Sequence, residues 1–366
     1  MTSTAPSSQR RSLRAALGSA VGSAAGLLTF PLLPRDLLGV LDPLEGGRQL
    51  RGRVEQALPE AAGATTLVLR PGRAWRGHRA GQWLRLGVDI DGVLHWRSYS
   101  LTRPPAADGT VSITVKPVQD GFVSHALART RPGTLLRLEQ AAGDFVLPGR
   151  LAAPVLFITG GSGVTPVMGM LRELAGRGPL PDVVLVHSAL TRDQVIFGEE
   201  LRALERAHPR FRLVERHTDV HGLLTLDRLA QLVPDWALRE TWACGPAGLL
   251  DALEEHWEQA GLRERLHTER FAPKLAPGAT GAGGTLELAR SGRTVDAPGA
   301  TPLLDAGEAA GAILPSGCRM GICYGCVVPL LRGQVRDLRT GDVHGEEGDL
   351  VQTCISAAAG PVTLDV

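Results

Sequence analysis

Between residues 49 and 150 the apolar positions fall in short runs, at 65–70, 83–87, 111–115 and 134–138, separated by Gly and Pro turns. Evenly spaced short strands of this kind predict a small antiparallel β-barrel. From 151 to 271 the rhythm changes. Strand-like runs at 155–159, 183–187, 212–215 and 240–244 alternate with stretches of helical character, which predicts a parallel α/β sheet with helices on its faces. Residues 272–284 hold two prolines and four glycines in 13 positions, the composition of an interdomain linker. Beyond it, the run 286–289, a Ser291-Gly292 turn and a second short strand predict a hairpin, and Thr301-Pro302 opens a short helix. The pattern therefore predicts a multi-domain chain of mixed α/β and β class. Its parts are an extension over 1–48, a barrel over 49–150, an α/β domain over 151–271 and a small last domain over 285–366.

The extension carries Arg10-Arg11 ahead of a 20-residue uncharged run over 15–34, superficially like a twin-arginine signal or a membrane span. Gly18, Ser19, Gly22, Ser23, Gly26, Pro31 and Pro34 interrupt that run, so it lacks the apolar content that about 20 membrane residues need. No small-residue cleavage site follows. The readings left are a surface helix in peripheral contact with a membrane or a membrane-bound partner, and a plain packing extension.

Composition narrows the function by exclusion. The 366 residues are 43% hydrophobic and 21% charged, with a net charge of +1, so no basic surface speaks for nucleic acid. Residues 284–366 carry 6 Arg against 10 Asp plus Glu. An acidic last domain can dock on a basic partner surface, or can simply be well solvated.

Four of the five cysteines lie in that last domain. They form Cys318-Arg-Met-Gly-Ile-Cys323-Tyr-Gly-Cys326 and Cys354, with four, two and then 27 residues between them. That is plant-type [2Fe-2S] spacing. Thiolates are the soft ligands an iron-sulfur cluster requires, and Gly317, Gly321 and Gly325 let them converge. A structural zinc site presents two short cysteine pairs far apart, and a disulfide framework suits small secreted chains; neither fits a cluster of three answered by one.

Two stretches of the barrel and two of the α/β domain carry further chemistry. They are Arg97-Ser-Tyr99-Ser100-Leu-Thr, Lys116-Pro-Val-Gln-Asp-Gly121-Phe-Val123-Ser124, Gly160-Gly161-Ser162-Gly163-Val-Thr165-Pro166 directly after a strand, and Cys244-Gly245-Pro246 at the end of another. In this order they resemble the ferredoxin-NADP reductase superfamily, and with the cysteine motif the resemblance covers residues 49–366. It implies an antiparallel flavin-binding barrel, a parallel nicotinamide-binding domain and a β-grasp ferredoxin domain. Arg97 is then the donor fork to flavin phosphate, Tyr99 an aromatic face for the ring, and Ser100 a hydroxyl toward its reactive nitrogen. The stretch from Lys116 through Gly121, Val123 and Ser124 becomes the phosphate loop. Gly160 through Pro166 becomes the nicotinamide loop, with Thr165 capping a helix that begins at Pro166, and Cys244, Gly245 and Pro246 lie beside the nicotinamide. Ser188 and Arg192, after the second strand, suit a ribose 2′-phosphate, which favours NADPH over NADH. The implied flavin is FAD, although FMN also occurs in the superfamily.

The function implied is an NAD(P)H-dependent flavin and [2Fe-2S] reductase passing electrons to a protein acceptor, with Ser100 and Cys244 at the hydride-transfer site. Pro31-Leu-Leu-Pro-Arg-Asp-Leu-Leu and Asp42-Pro-Leu resemble actinobacterial-type NADPH reductases that serve membrane-bound acyl desaturases. The expected place is therefore cytoplasmic, peripheral at the inner face of the membrane. The alternative acceptors are a ring-hydroxylating oxygenase and a cytochrome P450. A redox-sensing iron-sulfur module without enzymatic activity is the reading of another class, and the intact flavin and nicotinamide motifs speak against it.

Overall fold

The computed structural model describes residues 42, 44, 49–90, 92–118, 121–276, 281–317, 319–321 and 324–366. The expectations for the extension thus fall outside the described residues, Asp42 and Leu44 apart. Among the described residues, no helix is long and apolar enough to cross a membrane.

The first sheet is antiparallel and six-stranded: β1 (Arg51–Pro59), β2 (Thr65–Pro71), β3 (Trp83–Ile90), β4 (Val93–Ser100), β5 (Val111–Val115) and β6 (Leu135–Leu138), in the order β4-β3-β6-β1-β2-β5. Its two edges meet where Leu101 bridges Ile113 and the Thr102 N–H donates to the Ser112 carbonyl at 2.9 Å, which closes the barrel. Val54, Leu67, Leu69, Leu84, Leu86, Ile113 and Leu138 fill the inside. Alternate residues of each strand point inward, which is why the runs looked short and half polar. Helix α1 (Phe122–Ala128) follows β5.

The second sheet is parallel, with strands β7 (Val155–Gly160), β8 (Val183–Ala189), β9 (Phe211–His217), β10 (Glu240–Cys244) and β11 (Leu266–Glu269) in the order β11-β10-β7-β8-β9. All six residues of β7 are buried because both faces are covered. Val155 and Phe157 pack with α2 (Val164–Gly176), and Leu156 and Ile158 pack on the opposite side against the helix over 247–259. An unbroken apolar strand is the signature of that two-sided burial. Chain order reverses between β7 and β10, so the carboxyl ends of these two strands flank the crevice where open α/β sheets take ligands.

Helices α3 (Gly198–Ala207), α4 (Thr218–His221), α5 (Leu226–Leu232) and α6 (Ala247–Gln259) complete this part. Helix α2 also leans on the barrel. Gly169 is required there: a Cβ at this position would sit 2.6 Å from the Leu101 carbonyl oxygen. Arg172, three residues on, donates to the Thr102 carbonyl at 2.6 Å, pairs with both oxygens of Glu200 and lies over the Phe197 ring at 4.9 Å.

The last part pairs β12 (Gly284–Leu288) with β13 (Arg293–Ala297), and β12 runs parallel to the final strand. Helix α7 (Leu303–Ala309) follows, then β14 (Val327–Arg332), β15 (Val335–Asp337), β16 (Val343–His344), β17 (Leu350–Gln352), β18 (Ser356–Ala358) and β19 (Val362–Leu364). Leu303 and Leu304 of α7 pack on Leu286, Leu288, Val328 and Leu364, the helix-on-sheet plan of a β-grasp. The stretch expected as a linker is partly tied down. The Ala276 N–H donates to the Leu338 carbonyl at 2.8 Å, and β12 begins at Gly284.

Candidate functional site

Strand β4 runs along the barrel's edge and ends at the closing bridge. Its pleat puts Arg97 and Tyr99 on one face and Ser98 and Ser100 on the other. The Arg97 Nη1 donates to the Trp96 carbonyl at 2.9 Å. Burial, opposed by the nearby Arg97 charge, pushes the Tyr99 phenol up to about 12. The hydroxyl oxygens of Ser98 and Ser100 are buried and have no partner within the protein. Buried polar atoms are nearly always paired, so these two are left for something the protein binds.

Lys116 follows β5 directly, and Gly121, Val123 and Ser124 stand at the start of α1. The Ser124 hydroxyl is already engaged: it donates to the Gly121 carbonyl at 2.7 Å and accepts from the Val118 N–H at 3.2 Å. It braces the loop rather than offering a free donor. Val123 is buried in the barrel core, which anchors the same turn.

In the α/β part, Gly160 closes β7, Gly161, Ser162 and Gly163 form a 3-10 turn, and α2 starts at Val164. The expected cap is therefore corrected. The turn feeds straight into the helix two residues early, so Thr165 and Pro166 lie in its first turn, and the Thr165 hydroxyl donates back to the Ser162 carbonyl at 2.9 Å. Gly163 is the contact point between the two strand-end loops. A Cβ there would sit 2.1 Å from the Cys244 carbonyl oxygen and 2.9 Å from the Gly245 nitrogen. The Gly160–Pro166 and Cys244–Gly245–Pro246 motifs thus press together at the chain-reversal crevice.

Burial raises the Cys244 thiol well above the ordinary value, and the carboxyl of Glu269 adds to the rise. Glu269 was not anticipated. It ends β11 as the register partner of Cys244, burial and the charge of Asp144 push its carboxyl up to about 8, and its Oε2 has no protein partner. Its strand, Leu-His-Thr-Glu, is too short and polar to stand out as an apolar run. Its position at a strand's carboxyl end, level with Cys244, is the signal that would have found it.

Ser188 is paired in register with Gly160 on one side and Arg216 on the other, and its hydroxyl is buried without a protein partner. Arg216, also missed, is buried and donates to the His221 carbonyl at 3.0 Å. Arg192 is exposed in a 3-10 turn just past β8. The acidic group at the neighbouring strand end, Glu215, is neutralised. Burial works against its ionisation, but Arg202, at 2.6 and 2.7 Å, with His217 and Arg192 adding to it, holds its pKa below the usual value.

Of the four cysteines expected to hold the cluster, Cys318 and Cys323 lie outside the described residues. Cys326 and Cys354 are buried together. A hydrogen bond from Cys354 is the largest influence lowering the Cys326 thiol, to about 6, the thiolate character a metal ligand needs. The Thr353 hydroxyl donates to the Cys326 carbonyl at 3.0 Å and ties the two loops.

Three family models match in chain order: an oxidoreductase FAD-binding domain over residues 67–147, an oxidoreductase NAD-binding domain over 157–255 and a 2Fe-2S iron-sulfur cluster binding domain over 286–359. An NADPH oxidoreductase of Mycobacterium tuberculosis (strain ATCC 25618 / H37Rv) is 50% identical over 348 residues, 93% of this chain and 91% of the relative. The chain belongs to the ferredoxin-NADP reductase family, in the branch with a C-terminal [2Fe-2S] domain. The ferredoxin reductase component of a 3-ketosteroid-9-alpha-monooxygenase from Rhodococcus rhodochrous, 30% identical, aligns over 87% of this chain and 96% of its own length. Phthalate dioxygenase reductase shares the fold at a TM-score of 0.61 and 22% identity, over 86% of this chain and 97% of that one. As a family member the chain is an oxidoreductase with FAD-binding, NAD-binding and [2Fe-2S] domains.

Proposed function

We propose that this reductase draws electrons from NADPH and passes them singly, through its flavin and its cluster, to an oxygen-activating partner protein. The observation that carries the reading is the juxtaposition of Gly163 and Cys244 at the mouth of the crevice, with α2 seated on the barrel through Gly169 against the Leu101 carbonyl and Arg172 on the Thr102 carbonyl, the two residues after Ser100. That arrangement supports a reading in which α2 links the nicotinamide loop to the end of the flavin strand.

FAD, when bound, supplies a centre that takes two electrons from a hydride donor and gives them up one at a time. The chain's own residues do the rest. Arg97 would bind its phosphate, Tyr99 would cover the ring, and the unpaired Ser98 and Ser100 hydroxyls would be free to hydrogen-bond it. Gly160 through Pro166 offers backbone N–H groups to the dinucleotide's pyrophosphate. Burial keeps Cys244 a neutral thiol, and its register partner Glu269, its carboxyl pushed up to about 8, holds a proton at neutral pH beside it. Cys318, Cys323, Cys326 and Cys354 would hold the cluster.

NADPH is favoured by Arg216, the register neighbour of Ser188 with its unpaired hydroxyl, and by Arg192 in the turn after β8, while Glu215 is tied up by Arg202. The name of the mycobacterial relative agrees with this. The test is an anaerobic stopped-flow reaction of the holoprotein with NADPH and with NADH. Flavin bleaching followed by cluster reduction, faster with NADPH, is the expected result, and Arg216→Ala should bring the two nucleotides together. An unchanged preference in that variant would remove the arginine from the assignment.

An oxygenase acceptor is supported by relatives named as reductase subunits of glycine betaine and ketosteroid monooxygenases. A second reading, a membrane acyl desaturase, rests on the sequence over 31–38 and 42–44 alone. Co-expression with a desaturase decides between them: a rise in unsaturated fatty acids supports the second, and no change with an active reductase removes it.

A further inference from the structure

The ferredoxin part meets the barrel through a charge cluster whose acidic half, on helix α7, none of the motifs above includes. Helix α7 presents Asp305 and Glu308 three residues apart, on one face, while its Leu303 and Leu304 are fixed in the core behind. Arg319, the residue after Cys318, reaches that face: Nη1 donates to the Asp305 Oδ1 at 2.5 Å, and Nη2 donates to the Glu308 Oε2. The same Oε2 lies 3.8 Å from the Arg97 Nη2 on β4. The Glu308 side chain is only 10% exposed and both arginines 22%. Arg319 also holds φ = 59°, a left-handed backbone that a residue with a Cβ adopts only when its surroundings hold it there. Its two carboxylate partners supply that hold.

One shielded carboxylate therefore faces a guanidinium from the cluster loop and another from the flavin-binding strand. Without its negative charge, two like charges would face each other across the domain boundary. We propose that Glu308 is a positioning residue that docks the [2Fe-2S] domain on the barrel, holding the cluster loop beside β4 through the bridge Arg97–Glu308–Arg319. The inference rests on the reading of the barrel as the flavin site and of residues 318–326 as the cluster loop. At 3.8 Å the contact with Arg97 is a charge contact rather than a hydrogen bond. The bond to Arg319 lies within the ferredoxin part, so the bridge can part between Glu308 and Arg97 without breaking either domain. Docking of this kind sets the fraction of molecules competent for transfer between the centres, and salt weakens it.

The test uses the FAD- and cluster-loaded protein, as wild type and as Glu308→Gln, in anaerobic stopped flow with NADPH. Flavin bleaching and cluster reduction are read as separate phases, the cluster's EPR spectrum reports its integrity, and small-angle scattering reports compaction. Expected are a flavin phase and a ferricyanide-reductase KM for NADPH at wild-type values, a cluster phase slowed about tenfold, and a larger radius of gyration. In the wild type, raising KCl from about 0.05 to 0.5 M should slow the second phase and spare the first. A second phase unmoved by the substitution, or unmoved by salt in the wild type, overturns the proposal. If the variant fails to keep its cluster, the wild-type salt series decides alone. If NADPH does not bleach the flavin of the loaded wild type, the reductase reading falls and takes this proposal with it.

Discussion

At the scale of single residues, the buried polar atoms without partners carry the most information. Removing a hydroxyl that bonds nothing in the protein leaves no orphan behind. Ser100→Ala should therefore keep the melting temperature within about 2 °C of wild type while slowing flavin bleaching by NADPH roughly tenfold or more. A variant that melts early and bleaches at full rate would reverse that assignment.

Glu269 makes a pH prediction whose sign follows from linkage. Its carboxyl is pushed up to about 8 by burial and by Asp144, so the folded protein binds a proton there that the unfolded chain releases near the ordinary carboxyl value. The protonated form's contribution to stability is complete below about pH 4.5 and is lost as pH rises through about 8. Glu269→Gln carries no such loss. Melting curves from about pH 5 to 9 should show the wild type falling progressively below the variant; parallel curves would mean that the site admits water.

At the scale of elements, the packing of loop against loop is decided by which positions lack a Cβ. Gly163 sits at the start of α2 where the Cys244 carbonyl oxygen would be 2.1 Å from an added Cβ. A backbone contact of that kind has no flexible end to give way, so the two strand-end loops must separate. Gly163→Ala should cost about 2–4 kcal/mol in denaturant titration and raise the KM for NADPH, with FAD content and cluster absorbance intact. Loss of the flavin instead would place the loop's role in the barrel.

For the molecule as a whole, function depends on how separately folded parts meet. Arg172 is the side chain that joins α2 to the barrel, bonded to the Thr102 carbonyl and to Glu200. Arg172→Ala should destabilise by about 1–3 kcal/mol. It should also slow flavin reduction by NADPH more than it weakens NADPH binding, because orientation between two bound groups is what is lost. An equal change in rate and binding would indicate simple unfolding of α2.

The sequence by itself determined the fold class and the iron-sulfur motif, because both are written in local terms, and the flavin and nicotinamide followed from motifs whose order resembles a known family. Strand periodicity reports which faces are buried, as in the doubly covered β7, and the spacing of four cysteines or of the glycines after a strand is itself the chemistry. Element ends were less legible: α2 begins at Val164, before Pro166, because a 3-10 turn can extend a helix without a capping side chain. What only the tertiary structure decided are relations between residues far apart in the chain. Glu269 acquires its raised pKa from burial and from the charge of Asp144, Ser124 spends its hydroxyl on its own loop, and Glu308 faces Arg97 across 211 positions of sequence. Burial and electrostatic pairing are set by three-dimensional neighbours, and no local pattern encodes them.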